Sequence, residues 1–397
     1  MLIVPKALYF AASLLINALH SYKAQFIVER KHIPADKIGY VYAVVGVNFV
    51  GSLFWSRLSD RFGWHRWISI VAPWLYGVTS LLFIIDLPSV LPKGVQVTMI
   101  MGLAHFFSSA IFPLLDAMVF AYLKRENEDA SGFGMQRLFG TLAIPFANLS
   151  AYGLVKLTGF NGMFGFLLFA VLLYSSIVYF LVDPSLRVGA GKEKADEKMQ
   201  EAPSLRELFK KTFPALPLLL LFVLSSGYLR AIMHIYQNYM VDGLLGTDRQ
   251  GPLVLSMVRT VSEAVMFFYS KTLMGLLGVE GVLVISQIAG IMRVLGYGLM
   301  AREGQSMIWV AAPLELLKGV NSGLVVSGAT RLANQLAPPG SHGTVHGLLA
   351  GTYTGLSMLI GGCLSSWLIG NVLSAPADLS DPDSVIYYKL QSMFLWS

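Results

Sequence analysis

The sequence predicts an all-α polytopic membrane protein, and three observations carry that prediction. Of 397 residues, 55% are hydrophobic and only 13% charged, against roughly 45–50% and 25% in ordinary soluble domains. The mean hydropathy is +0.62. Apolar runs of the ~20 residues that cross a ~30 Å hydrocarbon core recur along the chain between short polar turns. The runs are continuous, as in "GMFGFLLFAVLLYSSIVYFLV", and not the ~10-residue alternating segments of a transmembrane barrel.

Taken in order, the spans fall at 4–27, 38–57, 67–86, 96–122, 132–155 and 161–182, then 214–240, 250–273, 280–300, 306–329 and 343–370. Span 1 is not a cleavable signal peptide, because it lacks a small-residue cleavage pattern and carries Asn17 and His20. A twelfth span opens near Ser384, but "SVIYYKLQSMFLWS" stops at about two thirds of the ~20 residues a crossing needs. The chain is therefore expected to be incomplete or to end abnormally. Between Asp183 and Lys211 lie seven basic and six acidic residues and no long apolar run, which reads as a solvated linker. The expected organisation is a helix bundle over 1–182, a cytoplasmic linker over 183–212 and a second bundle over 213–397.

Lys and Arg counts in the loops set orientation. With the N-terminus inside, 15 lie on the cytoplasmic side and seven outside, so the N-terminus is expected to be cytoplasmic. The same bias accounts for most of the formal charge of +6, and no aromatic-interleaved basic patch points to nucleic acid. The lone Cys363 lies in an apolar span and reads as core; Trp55, Trp67, Trp74 and Trp367 read as interface belts and lipid-facing bulk. Six spans before the linker and five to six after it form the layout of a two-half transporter built from parallel repeats. A weak echo supports duplication: "FWSR" at 54–57 recurs as "FYSK" at 268–271, each ending the second span of its half and each followed by a glycine, Gly63 and Gly278.

At "GSLFWSRLSDRFGWHR" the sequence resembles the signature loop between spans 2 and 3 of the major facilitator superfamily, matched by Gly51, Asp60, Arg61, Gly63 and Arg66. Trp64 and His65 depart from that pattern. The resemblance implies two six-helix bundles, the last helix truncated, and a gating role for the loop, with Asp60 and Arg61 holding one gate state. Physically, Gly63 makes the turn, and Asp60 near a helix end can accept backbone N–H groups. A charged hairpin that only fixes topology is the plainer alternative. "PLLDAM", "GFGMQRLFGTLA" and "PLELLKGVNSG" with the segments after it resemble the branch that holds the lactose, nucleoside and phenylpropionate proton symporters.

Few ionisable groups fall inside the spans: Asp116, Glu263 and Glu315 against Lys23, Arg137, Arg230, Arg259, Arg293 and Lys318. Each would cost ~2.5–3.5 kcal/mol unpaired at mid-bilayer, so these groups are expected to face the bundle interior and to pair. Glu315 and Lys318 are three apart and Arg259 and Glu263 four apart, so each pair shares a helix face. At ~1.5 Å per residue these four and Arg293 form one charged layer near mid-membrane. By the branch resemblance, Glu315 is the first candidate for the protonatable group and Glu263 the second, with Lys318, Arg293 and Arg259 beside them. A static salt bridge clamping helices is the competing role. The resemblance also makes Asp116 and Arg137 substrate-site candidates, with a structural gate pair as the alternative.

Uncharged and mixed groups extend the candidate substrate site. Asn17 and His20 share a face of span 1, and span 7 carries Arg230, His234, Gln237 and Asn238 at i, i+4, i+7 and i+8. Asn48 on span 2 and His346 on span 11 are further polar groups. Lys23 lies near a membrane edge, where it could snorkel. A histidine in such a place is more often a hydrogen-bonded structural residue than a proton carrier.

No phosphate-binding loop, HExxH, cysteine cluster or GxSxG is present in the sequence, so ATP-driven transport, a metal site and membrane hydrolysis have no support, and neither enzyme activity nor a cofactor is expected. The expected function is secondary active transport, a proton symport of a small polar organic solute by alternating access. The chain is expected to act as a monomer in the lipid bilayer. Antiport or uniport, and a receptor or scaffold that carries nothing, are the rivals. Six bases against three acids within the spans hint at an anionic solute.

Overall fold

A computed structural model describes residues 2–20, 22–33, 37–85, 91–184, 186, 204–245, 250–300, 308–373, 388–389 and 391–395, without the side chains of 131, 238–245, 250–253 and 308. The described residues are mainly helical and contain no strand. Span 1 comprises α1 (Ile3–Asn17) and α2 (Lys23–Lys31), and span 2 comprises α3 (Ile38–Ala43), a 3-10 turn (Val44–Gly46) and α4 (Val47–Phe62). Spans 3 to 6 are α5 (His65–Leu81), the pair α6 (Lys93–Ser108) and α7 (Ile111–Arg125), α8 (Phe133–Thr158) and α9 (Asn161–Leu181). After α10 (Leu205–Thr212), span 7 is α11 (Ala215–Leu245), spans 8 and 9 lie within α12 (Gln250–Gly298), and span 10 is α13 (Ile308–Leu336). Span 11 runs through α14 (His342–Ala350), a π-helical stretch (Gly351–Leu356) and α15 (Ser357–Trp367). By length and composition alone, seven of the described helices are apolar enough to cross a membrane.

Two glycines turn the chain at equivalent places. Gly63 ends α4 at φ +68°, and Gly278 breaks α12 into spans 8 and 9 at φ +69°. Nothing lies within 4 Å of a Cβ built at either position, so the left-handed backbone, not crowding, calls for glycine. These are the two glycines that follow "FWSR" and "FYSK".

Within the first half α1 packs on α8 and α9, and α5 on α6 and α9; within the second, α12 packs on α13 and α11 on α15. Two seams join the halves. Along one, α4 lies on α14 and α3 on α15; along the other, α8 lies on α12. Small residues allow the approach: a Cβ on Gly355 would meet Asn48 and Phe49 backbone, and one on Gly362 would lie 2.6 Å from the Gly39 carbonyl. On the second seam Asn148 Nδ2 donates to Ser256 Oγ at 3.0 Å, and Gly134 abuts Phe267 and Ser270.

Several expectations need correction here. Residues 204–212 are not solvated linker throughout, since α10 buries Leu208 completely against Leu216, Leu219 and Val345 of the second half. Its Ser204 and Glu207 form a reciprocal capping box. Cys363 is exposed on the outer surface, not core. Trp55 faces inward and donates Nε1 to the Phe106 carbonyl at 3.0 Å, whereas Trp67, Trp74 and Trp367 are exposed on the surface, as a lipid-facing position requires. The expected twelfth span falls mostly outside the described residues; of its described part, Met393 and Phe394 are fully buried and Gln391 Nε2 donates to the Met300 carbonyl at 2.7 Å.

Candidate functional site

The two halves meet around a central cavity of about 360 Å³ lined by residues from both. Broken helices build its wall. Asn17 and His20 stand where α1 gives way to α2, Asn48 follows the 3-10 turn of span 2, Pro113 sits just past the α6/α7 break, and Tyr353 lies in the π-helical stretch of span 11. Irregular backbone at membrane depth is tolerated where it lines such a cavity.

Most of the expected charged and polar groups come together here. From the first half the cavity receives Asn17, His20, Asp116 and Arg137; from the second, Arg230, His234, Arg259, Glu263 and Lys318. Lys23 joins them and does not snorkel: its Nζ donates to His105 Nε2 at 2.9 Å and lies over the Tyr42 ring. Asn48 and His346 line the cavity as well. His346 is stacked on Phe120, is 1% exposed, and has no hydrogen-bond partner on either ring nitrogen.

Asp116 and Arg137 do pair, as antiparallel spans 4 and 5 allow. Arg137 Nη1 donates to Asp116 Oδ1 at 2.7 Å, and the same oxygen accepts the Tyr9 hydroxyl at 2.6 Å. Tyr9, fully buried on α1, was invisible in the sequence because one more tyrosine on an apolar face carries no signal. His105 could have been seen, as a lone histidine inside an apolar run.

Glu315 and Arg293 lie apart from the cavity, in a closed network behind it. Glu315 Oε1 accepts Arg293 Nη2 at 2.7 Å, Arg293 Nε at 3.1 Å, Gln237 Nε2 at 2.7 Å and Tyr297 OH at 3.0 Å, while Arg293 Nη2 also donates to Gln237 Oε1 at 2.7 Å. Glu315 is 1% and Arg293 4% exposed. Gln237, expected on the substrate wall, therefore belongs to this cluster. Tyr297 sits four residues after Arg293 on the same helix face, a spacing legible in the sequence. The nearest charge pairing of Glu315 is across helices, because Arg293 on span 9 reaches its carboxylate while Lys318 turns to the cavity. The side chain of Asn238 lies outside the described residues.

Glu263 is placed differently. It lines the cavity with no ion pair within 4.0 Å among the described residues, and its charged neighbours are Arg259, Lys318 and Arg137. Gly319 permits this convergence: a Cβ there would stand 2.5 Å from the Glu263 backbone N and 2.6 Å from the Arg259 carbonyl, so α12 and α13 touch backbone to backbone beside the charges.

At the end of the molecule carrying the span 2–3 loop, Asp60 crosses to the other half. Its Oδ2 accepts Thr344 N at 2.7 Å and Thr344 Oγ1 at 2.8 Å, and its Oδ1 accepts Gly343 N at 3.2 Å. A carboxylate thus caps the N-terminus of α14, where unpaired N–H groups and the helix dipole favour an anion. His65, which departs from the family pattern, lies 3.2 Å from Asp60 Oδ1. Arg66 works within its own half, donating to the Tyr179 carbonyl at the end of α9, and Arg61 is exposed and stacked on Phe62. Toward the opposite end His234 Nε2 and His20 Nδ1 are 3.2 Å apart across the halves, and Tyr236 OH lies 3.2 Å from Ser366 Oγ.

A helical membrane protein with two halves around an ionisable cavity is an integral multi-pass transporter of the major facilitator fold, not an enzyme. The sequence matches the model of the MFS_1 like family over residues 2–376, and the chain belongs to that family. Among solved structures it is similar to the nucleoside transporter NupG, with a TM-score of 0.68 at 14% identity over 99% of this chain and 96% of that one. A mutant of the same transporter gives 0.70 at 14% identity, over 99% and 95%. The human organic anion transporter MFSD10 (TETRAN) gives 0.64 at 13% identity, over 99% and 97%. No curated protein sequence matches the chain.

Proposed function

We propose that this chain carries a small polar organic solute together with protons by alternating access, in the direction of uptake. The observation that supports it is the central cavity, which gathers Asp116, Arg137, Glu263, Arg259 and Lys318 from both halves at one place. A coupled carrier needs a protonatable group and a solute site that sense one another across a rocking interface. The rocking units are residues 1–182 and 213–397, joined by 183–212, and the chain works as a monomer with its N-terminus cytoplasmic, as the basic loops favour.

The proton-coupling set is Glu263 with Arg259 and Lys318. Glu263 leads because it meets the cavity, whereas Glu315 and Arg293 hold their neighbours in place behind it. The solute site comprises Asp116, Arg137, Asn17, His20, Arg230 and His234. Asp60, capping α14, closes one gate, with Gly63 shaping its loop. Proteoliposomes loaded with a pH-sensitive dye test the reading. Solute addition acidifies the lumen when the solute enters with protons; alkalinisation would mark antiport, and solute flux without pH change would mark uniport.

A further inference from the structure

The cavity is unbalanced in charge. Five cationic side chains, Lys23, Arg137, Arg230, Arg259 and Lys318, face two carboxylates, and one of those, Asp116, is committed to Arg137 and Tyr9. Arg230, Arg259 and Lys318 have no ion pair within 4.0 Å among the described residues; Arg230 has only the Tyr353 ring, 4.9 Å from its guanidinium, and a long contact to the Tyr353 carbonyl. These three and Lys23 all act electrostatically on the His20–His234 pair, so they surround one region of the cavity. In the same wall His346 offers two unpartnered ring nitrogens, and Arg230 Nε is unpartnered too. Buried polar groups are paired in native structures, so this set marks the place of a missing partner that is anionic and accepts hydrogen bonds. Among the described residues, the carboxylate that lines the cavity without an ion pair is Glu263, which faces Arg259 on its own helix, Lys318 and the Ser322 hydroxyl on span 10, Arg137 on span 5 and Tyr353 on span 11, while Glu315, held by Arg293 behind the wall, also acts on Arg259 and Lys318.

We propose that the solute is a small organic carboxylate seated on Arg259, Lys318 and Arg230, and that Glu263 is its internal rival, an anion that must take up a proton before the solute can hold these cations. The inference rests on the transport reading above and names its substrate class. One proton passes from solvent to the Glu263 carboxylate as one carboxylate enters, so the charge within the cavity is unchanged by loading. When the solute leaves on the far side, Glu263 gives up its proton there and resumes the place beside Arg259 and Lys318. A monocarboxylate is then carried electroneutrally. Coupling needs no further proton site, because two anions compete for one set of cations.

The test uses the purified full-length protein in nanodiscs and three carboxylates, each against its neutral amide of the same shape: benzoate and benzamide, lactate and lactamide, succinate and succinamide. Thermal shifts give the Kd of each probe at pH 6 and pH 7. At least one carboxylate binds and its amide does not, with affinity falling by up to about tenfold over that unit of pH, the limit for one linked proton. Glu263→Gln binds the same carboxylate with no such pH dependence, and Lys318→Gln binds it at least about tenfold more weakly. The histidines His20, His105, His234 and His346 also titrate in this range, and a dependence that survives in Glu263→Gln would assign the proton to them and overturn the proposal. Binding of amides in preference to carboxylates, or of none of the six, overturns it as well. Those results leave the transport reading intact if proteoliposomes still show proton-linked flux of another solute; absence of any flux sinks that reading instead. Where Glu263→Gln is too unstable to purify, Glu263→Asp decides: the shorter carboxylate shifts the pH dependence if it is the proton site, and a dependence left as in the wild type assigns the proton to the histidines and overturns the proposal.

Discussion

At the scale of single residues, the two intramembrane carboxylates of the second half are separated by their company. Glu315 has four donors on one oxygen and almost no exposure, so its charge is held by Arg293, Gln237 and Tyr297. Removing one partner of a buried ion pair strands the other and costs about 3–5 kcal/mol. Arg293→Leu is therefore expected to lower the melting temperature of the detergent-solubilised protein sharply, and Glu315→Gln less, since an amide oxygen still accepts hydrogen bonds; equal and small shifts would show that the cluster holds nothing. Sequence spacing brought Glu315 to notice but paired it with Lys318, its neighbour at i+3. The partner that matters is on another helix, and no local spacing reports which distant helix supplies it.

Among the elements, helix ends and helix crossings carry the testable weight. Asp60 joins the span 2–3 loop to the first turn of α14, and capping residues of this kind contribute about 0.5–2 kcal/mol. Asp60→Ala is expected to loosen that end alone, seen as faster hydrogen exchange at residues 342–345 with no change near His20 and His234. At the α12–α13 crossing, Gly319→Ala pushes a methyl against the Glu263 and Arg259 backbone, and overpacking of this sort costs about 1–3 kcal/mol. Its melting temperature should fall while Gly63→Ala, strained in φ and not in space, perturbs only the loop. On α10, Glu207 accepts the Ser204 backbone N–H, and this hydrogen bond lowers its pKa below the usual glutamate value. Its contribution is complete above the unfolded-state pKa and is lost as pH falls through the lower folded value. Acidification into that range should thus fray α10, whereas the transport profile near neutrality stays untouched in Glu207→Gln.

For the molecule as a whole, each half packs mostly on itself, and the two seams are rows of small residues. A chain cut between 187 and 203 should reassemble from its two parts when they are co-expressed, with α10 left on the second part because Leu208 is buried there. Failure of the parts to co-purify would mean that the halves are not separate folding units. Composition and run length placed a helix at each expected span among the described residues, and seven of those helices are long and apolar enough for the ~20-residue crossing that a bilayer demands. The glycines after "FWSR" and "FYSK" were legible as turn points for a similar reason: a left-handed backbone excludes most other residues.

By itself the sequence determined the membrane class, the order of helices and the small set of polar groups that had to face inward, because each follows from the cost of exposing charge or backbone to hydrocarbon. Tertiary structure decided which of those groups share a cavity and which are sealed behind it. It took Gln237 from the solute wall to the Glu315 cluster, brought Lys23 from the membrane edge to His105, and left Glu263 facing Arg259 and Lys318. Partner choice between helices depends on how they cross and rotate, and those angles are set by packing over the whole bundle, not by any stretch of the chain.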